Sequence, residues 1–598
     1  MPPHGRINPA SKAKDFKGTV GKTIKYAGGY KIGVIAVMIC AAVSAVFHIV
    51  GPKVLGKATT ALFEGLIGKI TGTGEIDFAR IGTILLTVLG LYGISYVFSL
   101  IQGFTMSKIT QTLCYRLRKE ITEKINRMPL KYFESRTYGE VLSRITNDVD
   151  TFGNGFNQSV TQLITSVTTM IGVVVMMLTI SPLMTLITLL ILPVSLVFIS
   201  IVMKKSQKYF QQQQAYLGHI NGQVEENYSG HLVVKAYGKE KDVTEKFDET
   251  NNTLYVSAWK SQFLSGLMMP VMQFVGNLGY VGVAISGAFL AIKGTIEIGD
   301  IQAFISYVKN FTQPMQQIAQ VTNMMQSMVA AVERVFEFLE EEEEDQVTEN
   351  AVPVNNVKGI VDFKHVSFGY DPQQIIIKDF NAHVEQGKQI AIVGPTGAGK
   401  TTMVKLLMRF YDVNGGSIEL DGHDLKDYNR NELRSAFGMV LQDTWLFKGS
   451  IMENIRYGRL DATDDEVMAA AKSAHADHFI RTLPGGYDFE LNEDATNVSA
   501  GQRQLLTIAR AILADNPVLI LDEATSSVDT RTEQRIQKAM DNLMKGRTSF
   551  IIAHRLSTIR GADLILVMRD GDIIEQGSHD QLMEQAGFYA DLYNAQFA

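Results

Sequence analysis

Six apolar stretches in the first half of the chain constrain its fold more than any other feature. A helix that crosses the hydrocarbon core of a bilayer needs about 20 mostly apolar residues. The stretches that meet this length are 32–52, 81–104, 158–180, 182–203, 264–292 and 299–320. Only Ser181 and Pro182 separate the third from the fourth, which predicts a tight helical hairpin. The sixth contains Lys309, Asn310 and several glutamines, so it must face a protein interior or an aqueous cavity, with a buried soluble helix as the alternative.

Composition divides the chain into two unlike halves. The long apolar runs end near residue 325, and the rest of the 598 residues is typical of a soluble α/β chain. The net charge of −6 gives no reason to expect nucleic-acid binding. Cys40 and Cys114 are too few for a disulfide framework, so both thiols are expected to be unpaired. The basic N-terminal segment lacks an apolar core at signal-peptide distance and is predicted to be a cytosolic tail.

Lysine and arginine residues predict the orientation of the spans. They are concentrated in the N-terminal tail and in two long loops, 105–157 and 204–263, and are scarce in the alternate loops. The positive-inside rule places the tail, both long loops and both termini in the cytosol, which makes this a multi-pass protein of the cell membrane. The long loops have helical patterning, and their tips, 135–148 and 228–241, are predicted to be short turns that dock on a soluble domain. Solvated helical hairpins are the alternative.

The pattern predicts two domains of different class. An all-α, six-span transmembrane domain with long cytosolic helical extensions precedes an α/β P-loop nucleotide-binding domain. The predicted bounds are 1–30 for the tail, 31–335 for the membrane domain, 336–357 for the linker and 358–598 for the nucleotide-binding domain. The acidic run FEFLEEEEED at the start of the linker is expected to be a solvated face, which is the usual fate of a charge run.

The segment GPTGAGKT, 394–401, predicts a phosphate-binding loop. An apolar strand-like run, KQIAIV, precedes it and a helix-like run follows, which is the context that this motif requires. The glycines let backbone N–H groups turn towards phosphate oxygens, while Lys400 neutralises phosphate charge and the Thr401 hydroxyl is placed to bind Mg²⁺. ATP and Mg²⁺ are therefore the expected cofactors. The complete segment comprises Gly394, Pro395, Thr396, Gly397, Ala398, Gly399, Lys400, Thr401 and Thr402.

A second motif, NPVLILDEATSSVDT at 516–530, predicts the catalytic carboxylates. Its apolar run is typical of a buried strand in a parallel sheet. Asp522 at the end of that strand is placed to hold Mg²⁺ near the phosphates. Glu523 follows directly, and a carboxylate there can act as general base towards the attacking water.

Beside these motifs, NVSAGQRQLLTIARAIL at 497–513 resembles the signature of the ATP-binding cassette family. The cassette resemblance spans about 359–593, and the six-span half resembles the membrane domain of the type IV exporters. The resemblance implies ATP-driven export by alternating access, with ATP hydrolysed between two cassettes. An ATP-gated channel or a regulatory membrane ATPase of the same fold is the alternative.

The resemblance also implies roles for individual residues. Tyr370 matches the aromatic that stacks on adenine, Gln442 the glutamine that senses Mg²⁺ and the γ-phosphate, and His554 the histidine that orients Glu523. Asp529 matches the loop that crosses to the opposite site. At a helix N-terminus, where anions bind, the family uses the residues that match Ser499, Gly501 and Gln502 to hold the γ-phosphate of the other cassette. One chain with one cassette is therefore a half-transporter that needs a second chain.

The signature departs from the family pattern at two positions, Val498 and Ala500, and the segment FELNEDATN at 489–497 before it departs as well. The usual LSGGQ is VSAGQ here, so Ala500 adds a methyl group where a glycine permits close approach. The other catalytic residues are intact. This combination resembles the catalytically complete chain of heterodimeric bacterial exporters, and a heterodimer is favoured over a homodimer.

The cargo is poorly constrained by the sequence. The methionine-rich fifth span carries Gln273 and Asn277, which either line a cavity or serve ordinary packing between helices. Hydrophobic drugs, lipids and peptides all remain open as substrates.

Overall fold

The chain divides into two compact units. The computed structural model describes residues 13–345, 347–348, 350–354, 356–371, 373–442, 444–522, 529–552 and 556–597. One unit contains the described residues up to Glu123 together with Tyr138–Glu341. The other contains Lys124–Thr137 together with the described residues from Glu342 onward. The predicted order, a helical domain followed by an α/β domain, is confirmed.

Long helices make up the first unit. The helices from residue 16 to residue 340 are α1 Phe16–Tyr26, α2 Lys31–Thr71, α3 Phe78–Ile125, α4 Leu130–Glu134, α5 Tyr138–Ser143, α6 Val149–Ile180, α7 Pro182–Leu189, α8 Ile191–Ser229, α9 His231–Ala236, α10 Glu240–Gly266, α11 Met268–Ile292 and α12 Ile298–Glu340. Of these, α4 belongs to the second unit. Five of them, α2, α3, α6, α8 and α12, have 32 to 48 residues and are much longer than a bilayer is thick, so these helices extend beyond the apolar spans.

Four helical stretches of the described chain are long and apolar enough to cross a membrane: Phe16–Thr71, Phe78–Ile125, Tyr138–Ile180 and Glu240–Ile292. They contain the first, second, third and fifth predicted spans. The fourth is divided at Leu190 between α7 and α8. Pro193 lies in the first turn of α8 and has no N–H to continue the helix of α7, which accounts for the break. The sixth lies within the single long helix α12.

The hairpin between the third and fourth spans is confirmed. Ser181 leaves the helical conformation with φ −158° and ψ 116°, and its Oγ accepts a hydrogen bond from the Met184 N–H at 3.4 Å. Pro182 occupies the first turn of α7, where a missing N–H costs nothing.

Helix α12 is the central element of the first unit and packs against α2, α6 and α11. The Tyr307 hydroxyl donates to the Ile49 carbonyl of α2 at 2.9 Å. A Cβ on Gly299 would lie 1.8 Å from the Gly56 carbonyl oxygen, so the two glycines let α2 and α12 approach closely. The apolar face of α12 enters a buried cluster made by Ala303, Phe304, Tyr307, Val308 and Phe311 with residues of α2, α6, α7 and α11.

The predicted position of the first loop tip, 135–148, is wrong, because the chain reverses earlier in the sequence. The chain reverses over 126–137, and the short helix there is α4, whereas 138–148 is already helical and leads into α6. Pro129 precedes α4 with extended backbone, and Gly139 is the second residue of α5. The predicted tip of the second loop is confirmed, since α9 joins the long antiparallel helices α8 and α10 within 228–241.

The described residues of the second unit form an α/β domain with three sheets. Its strands are β1 Val361–Phe368, β2 Ile377–Val384, β3 Gln389–Val393, β4 Gly415–Leu420, β5 His423–Asp424, β6 Phe437–Val440, β7 Gly449–Ser450, β8 Glu490–Leu491, β9 Val518–Asp522, β10 Thr548–Ile552, β11 Leu564–Arg569 and β12 Asp572–Gly577. Its helices after the linker are α13 Lys400–Leu407, α14 Arg430–Ser435, α15 Ile451–Arg456, α16 Asp464–Ser473, α17 Asp477–Ile480, α18 Ala500–Ala514, α19 Thr530–Met544, α20 Leu556–Gly561, α21 His579–Glu584 and α22 Phe588–Phe597.

The largest sheet has the strand order β12-β11-β3-β10-β9-β6. Its strands are parallel except for the edge strand β12. A four-stranded antiparallel sheet, β2-β1-β4-β5, packs beside it. The central strands are buried on both faces, as β10 shows along its whole length, which explains their continuous apolar sequences. The carboxyl ends of β3, β10, β9 and β6 consequently meet at one edge of the sheet.

The acidic linker is not merely a solvated face, contrary to the prediction. Glu343 pairs with Lys124 at 3.6 Å and with Arg127 at 2.6 Å, and the Glu344 carboxylate accepts from Arg434 at 3.1 Å. The side chain of Glu344 is only 7 % exposed. These pairs fasten the start of the linker to α14 and to the segment that ends α3.

Candidate nucleotide site

The loop between β3 and α13 has the geometry of a phosphate cradle. Gly394 has φ 154°, and a Cβ there would lie 2.2 Å from the Met568 carbonyl oxygen. Gly399 has φ 101° immediately before the first helical residue, Lys400, where a Cβ would meet Ile377 at 2.7 Å. Only glycine fits these positions. The loop therefore places the N-terminus of α13 next to a concave run of backbone amides, which suits an anion.

Lys400 lies over this loop. Its Nζ donates to the carbonyl oxygens of Gly394 at 2.7 Å and Pro395 at 3.1 Å. Burial lowers the pKa of Lys400, and the charge of Asp522 opposes that shift. The ammonium group is therefore held among carbonyl oxygens at the mouth of the cradle, where a phosphate would compete for it. Beside it Thr401 is exposed and Thr402 is buried.

The donor set at the carboxyl edge of the sheet fits a hard cation. Asp522 ends β9, and the exposed Gln442 follows β6, the next strand at this edge. With the Thr401 hydroxyl these side chains offer only oxygen ligands, which are the ligands that Mg²⁺ prefers. Glu523, which follows Asp522, and His554, which follows β10, lie outside the described residues. The strands that precede both end at this same edge.

Tyr370 lies in a small aromatic cluster beside the cradle. Its ring is 5.0 Å from that of Tyr411, edge to face, and the Lys405 ammonium lies 5.5 Å from its centroid. Its hydroxyl is 3.4 Å from the Thr402 Oγ1. The sequence assigned Tyr370 to adenine stacking, and the structure places it against α13, the helix that begins the cradle.

The signature residues head α18. Ser499 and Gln502 form a reciprocal capping box, in which the Gln502 N–H donates to the Ser499 Oγ and the Ser499 N–H donates to the Gln502 Oε1. Gly501 is buried, whereas Ala500 is exposed at the first helical position. The methyl group of Ala500 therefore meets no clash within its own chain. Ala500 can therefore have a steric effect only on a ligand or a second chain that approaches the N-terminus of α18.

Asp529 caps another helix. Its carboxylate accepts from the backbone N–H groups of Arg531 at 3.1 Å and Thr532 at 3.0 Å at the start of α19. These hydrogen bonds, led by that from Thr532, lower the pKa of Asp529. Within one chain Asp529 thus has a structural task, alongside the contact with a second cassette that the resemblance implies.

Sequence reasoning missed a contact between the first long loop and this site. Glu134 at the end of α4 accepts from the Lys405 Nζ at 2.6 Å and from the Tyr411 hydroxyl at 2.5 Å. Burial of the Glu134 carboxyl opposes ionisation, but the hydrogen bonds from Lys405 and Tyr411 outweigh it and lower the pKa of Glu134. More than 270 residues separate the partners, so no local pattern could have revealed the contact. We call Glu134, Lys405 and Tyr411 the loop anchor.

The glycine cradle and its lysine follow β3, and the Asp522 carboxylate ends β9, two strands away in the same sheet. Together with the capped N-terminus of α18, these features define a P-loop ATPase. Because the same chain carries helices of membrane-crossing length, this is an ATPase that is integral to a membrane.

Comparisons with known proteins identify the family. Residues 34–315 match the ABC transporter transmembrane region, and residues 377–526 match the ABC transporter cassette. The chain is 42 % identical to a fatty acid ABC transporter ATP-binding/permease protein of Mycobacterium bovis, with 99 % of this chain and 100 % of the relative covered. It is 45 % identical to the ABC transporter ATP-binding protein YfiC of Bacillus subtilis, with 98 % and 96 % covered. The chain belongs to the ABC transporter family.

Two further relatives narrow the class. An ATP-dependent lipid A-core flippase of Syntrophus aciditrophicus is 34 % identical, with 86 % of this chain and 85 % of the relative covered. The structure of a bacterial Atm1-family ABC exporter with ATP bound superposes with a TM-score of 0.72 at 28 % identity, and covers 93 % of this chain and 98 % of that one. The protein is thus an exporter of the type IV class that binds ATP and couples its hydrolysis to transport, and such exporters work as dimers of two cassettes.

Proposed function

We propose that the chain is one half of an exporter that moves a fatty acid or similar lipid-type amphiphile across the cytoplasmic membrane by alternating access. The observation that carries this proposal is the full-length similarity to a fatty acid transporter. The more distant lipid A-core flippase points to the same broad class of cargo. Among the substrates that the sequence left open, lipids are therefore favoured over drugs and peptides.

An apolar cavity of the first unit supports a lipid cargo. It has a volume of about 190 Å³ and lies between α1, α6 and α12, lined by residues such as Ile24, Leu163 and Met325. Ser159 in its wall is 3 % exposed, and its hydroxyl has no hydrogen-bond partner among the described residues. An otherwise apolar space that is lined by two hydroxyl side chains, Thr23 and Ser159, suits part of an acyl chain.

The chemistry of ATP hydrolysis follows from the cradle. We assign triphosphate binding to the loop amides and Lys400, and Mg²⁺ binding to Thr401, Asp522 and Gln442. When bound, Mg²⁺ neutralises charge on the phosphate oxygens. Glu523 takes a proton from the attacking water, and His554 holds Glu523 in place for that step.

The second cassette supplies the other side of the site. Ser499, Gly501 and Gln502 lie at an exposed helix N-terminus, which is suited to the γ-phosphate held by a partner chain. The methyl group of Ala500 narrows the space between this helix N-terminus and that γ-phosphate. The ATP site that this signature completes is therefore the weaker of the two. We therefore propose a heterodimer, in which the partner chain supplies an intact signature to the phosphate cradle of this chain. Asp529 belongs to the loop that reaches the nucleotide site of the opposite cassette.

Two short helices transmit cassette movements to the membrane spans. Through the loop anchor, α4 contacts the helix that begins the cradle and the aromatic cluster of Tyr370. The exposed Leu232 and Val233 of α9 are suited to the partner cassette. We propose that ATP binding closes the cassettes, that α4 and α9 carry this closure to the spans, and that hydrolysis resets them.

Charge distribution supports the orientation. The lysine- and arginine-rich tail and long loops lie on the cytosolic side, which places both termini and the ATP site in the cytosol.

Transport in inside-out vesicles tests the proposal. Vesicles that contain the protein with its co-purified partner are given labelled oleate and ATP, and Glu523→Gln serves as the matched inactive control. Accumulation of oleate against its gradient, absent with Glu523→Gln, is expected. Flux that only equilibrates oleate would instead indicate an ATP-gated channel, and ATP turnover without flux would indicate a regulatory ATPase. Mass spectrometry of the purified complex decides between two different chains and two identical ones.

A further inference from the structure

The hydroxyl of Ser159 is buried in the wall of the apolar cavity between α1, α6 and α12. Ser159 is 3 % exposed, and its Oγ has no hydrogen-bond partner within the described part of the chain. Because a buried donor without a partner is destabilising, nearly all such groups in folded proteins are satisfied by protein, water or ligand. The cavity therefore needs an occupant that accepts a hydrogen bond from Ser159.

Water is a poor occupant of this cavity. A buried water is stabilised by about two to four polar partners. Among the described residues that line the cavity, Thr23 is the only polar one besides Ser159. The Thr23 hydroxyl already donates to the Thr19 carbonyl at 2.8 Å, so it is left with acceptor capacity alone. The cavity thus suits a ligand that is apolar except for one hydrogen-bond acceptor.

The three helices around the cavity place it at the cytosolic border of the bilayer in the orientation proposed above. Ser159 is the second residue of the third predicted span, 158–180, and α1 ends at Tyr26, shortly before the first span. Met328 follows the end of the sixth span by eight residues, or roughly 12 Å along α12. This level lies between the hydrocarbon core and the headgroups, where the carboxyl and ester groups of lipids are found.

The size and the opening of the cavity fit part of a lipid. Its volume of about 190 Å³ is smaller than the roughly 300–1,000 Å³ of pockets that enclose a whole ligand. Ile24 and Leu163 in its wall are 65 % and 38 % exposed in the single chain, so the cavity opens between α1 and α6. A lipid can therefore place one part in the cavity while the rest of the molecule stays in the bilayer.

We propose that this cavity binds an acyl lipid, whose carboxyl or ester carbonyl oxygen accepts a hydrogen bond from the Ser159 hydroxyl. The methylene groups next to that carbonyl pack on Val160 and Leu163 of α6 and on Met325 of α12, whose flexible thioether adapts to the chain. A fatty acid cargo and an ester phospholipid of the inner leaflet share this chemistry. The inference rests on the proposed function only where the ligand is the cargo.

Two matched lipid probes test the role of Ser159. Both are phosphatidylcholines with a photoreactive diazirine in one tail, and their tails are joined by ester bonds in one probe and by ether bonds in the other. Each is titrated into nanodiscs of ether-linked phosphatidylcholine that contain the complex without nucleotide. After illumination, mass spectrometry quantifies crosslinks to the cavity peptides of α6 and α12. We expect about fivefold more labelling by the ester probe, because only its carbonyl can accept from Ser159.

Three variants make this test specific. Ser159→Ala should abolish the preference for the ester probe. Thr165→Val is the matched control on the same helix and should retain it, because the Thr165 hydroxyl already donates to the Thr161 carbonyl at 2.9 Å. Val160→Trp places a large ring in the cavity and should abolish labelling by both probes. Equal labelling by the two probes in wild-type protein, or an unchanged preference in Ser159→Ala, overturns the assignment to Ser159.

Unlabelled oleate identifies the source of the ligand. If oleate displaces the ester probe, the cavity receives the fatty acid cargo. If oleate does not displace it at a concentration that saturates transport, the ligand is a phospholipid of the bilayer. Both results support the site.

The remaining outcomes separate this inference from the proposed function. Absence of crosslinks to the cavity peptides, in a complex that still transports oleate, overturns the site and leaves the proposed function standing. Labelling that depends on Ser159, in a complex that does not transport oleate, supports the site and overturns the proposed cargo.

Discussion

The loop anchor provides a direct test of how ATP turnover is coupled to transport. Glu134→Gln keeps the shape of the side chain and removes its charge. Glu134 accepts two short hydrogen bonds, from Lys405 at 2.6 Å and from Tyr411 at 2.5 Å. The variant therefore weakens the contact of α4 with α13 without touching the phosphate cradle itself.

The size of the effect follows from geometry and exposure. Hydrogen bonds to charged groups contribute about 1.5–3 kcal/mol when shielded from water. The Glu134 side chain is 37 % exposed and that of Lys405 25 % exposed, so solvent screening reduces the ion pair to about 1 kcal/mol. The amide of glutamine still accepts one hydrogen bond. Loss of about 1 kcal/mol corresponds to a factor of about five in the docking equilibrium of α4.

The assay is the number of cargo molecules transported per ATP hydrolysed in proteoliposomes. Glu134→Gln should lower this ratio about fivefold while the rate of ATP hydrolysis stays within about twofold of the wild-type rate. A weakened loop anchor separates transport from ATP hydrolysis but leaves the hydrolytic site intact. Glu123→Gln, which removes an exposed pair with Lys119 on α3, is the matched control. The double variant with Lys405→Met should lose little more than the worse single variant.

Two results would refute this reasoning. One is an unchanged transport ratio in Glu134→Gln, and the other is simple addition of the losses in the double variant. The pH dependence gives an independent check. The pKa of Glu134 is lowered. The contribution of its carboxylate to the docking of α4 is therefore fully present above the ordinary glutamate pKa of about 4.3 and is lost only as pH falls through the lowered value. The wild-type ratio should therefore not change from pH 8 to pH 5 on account of this group.

Three further predictions concern the cassette and the thiols. Glu523→Gln should reduce ATP hydrolysis at least about a hundredfold while ATP still binds, and turnover near the wild-type rate would contradict its role as general base. Ala500→Gly should increase the number of vanadate-trapped nucleotides per dimer, since it removes a methyl group that is exposed at the head of α18, and an unchanged number would show that Ala500 does not weaken the site. Cys114 is 2 % exposed and burial raises its pKa, so a maleimide at neutral pH should modify it only after denaturation, whereas rapid modification of the folded protein would contradict this.

Local signals in the sequence predicted the cradle well. The run from β3 through Gly399 to α13 depends on residues that are adjacent in the chain, so a strand, three positive-φ glycines and a helix start could be recognised together. The end of β9 at Asp522 followed from four consecutive apolar residues in the same way. Cys40 and Cys114 are free, as expected.

Contacts between distant segments could not be predicted. Glu344 lies in an acidic run that the sequence predicts to be solvated, but its carboxylate pairs with Arg434. No residue near either partner in the sequence indicates this pairing. The first loop tip was predicted at 135–148, but the chain reverses next to Pro129 instead, and no local signal in the sequence distinguishes the two positions. The loop anchor was missed for the same reason, since Glu134 is an ordinary surface glutamate until Lys405 and Tyr411 are placed beside it.

The extension made by α8 and α10 has a consequence for the life of the protein in the cell. The 39-residue helix α8, about 58 Å long, ends at α9, around which Tyr228, Leu232 and Tyr237 are 85 %, 83 % and 77 % exposed. A chain synthesised without its partner displays these apolar side chains to the chaperones and proteases that remove misfolded proteins. In the heterodimer that we propose, the scarcer of the two chains therefore sets the amount of transporter, and synthesis of both from one message would keep their numbers matched.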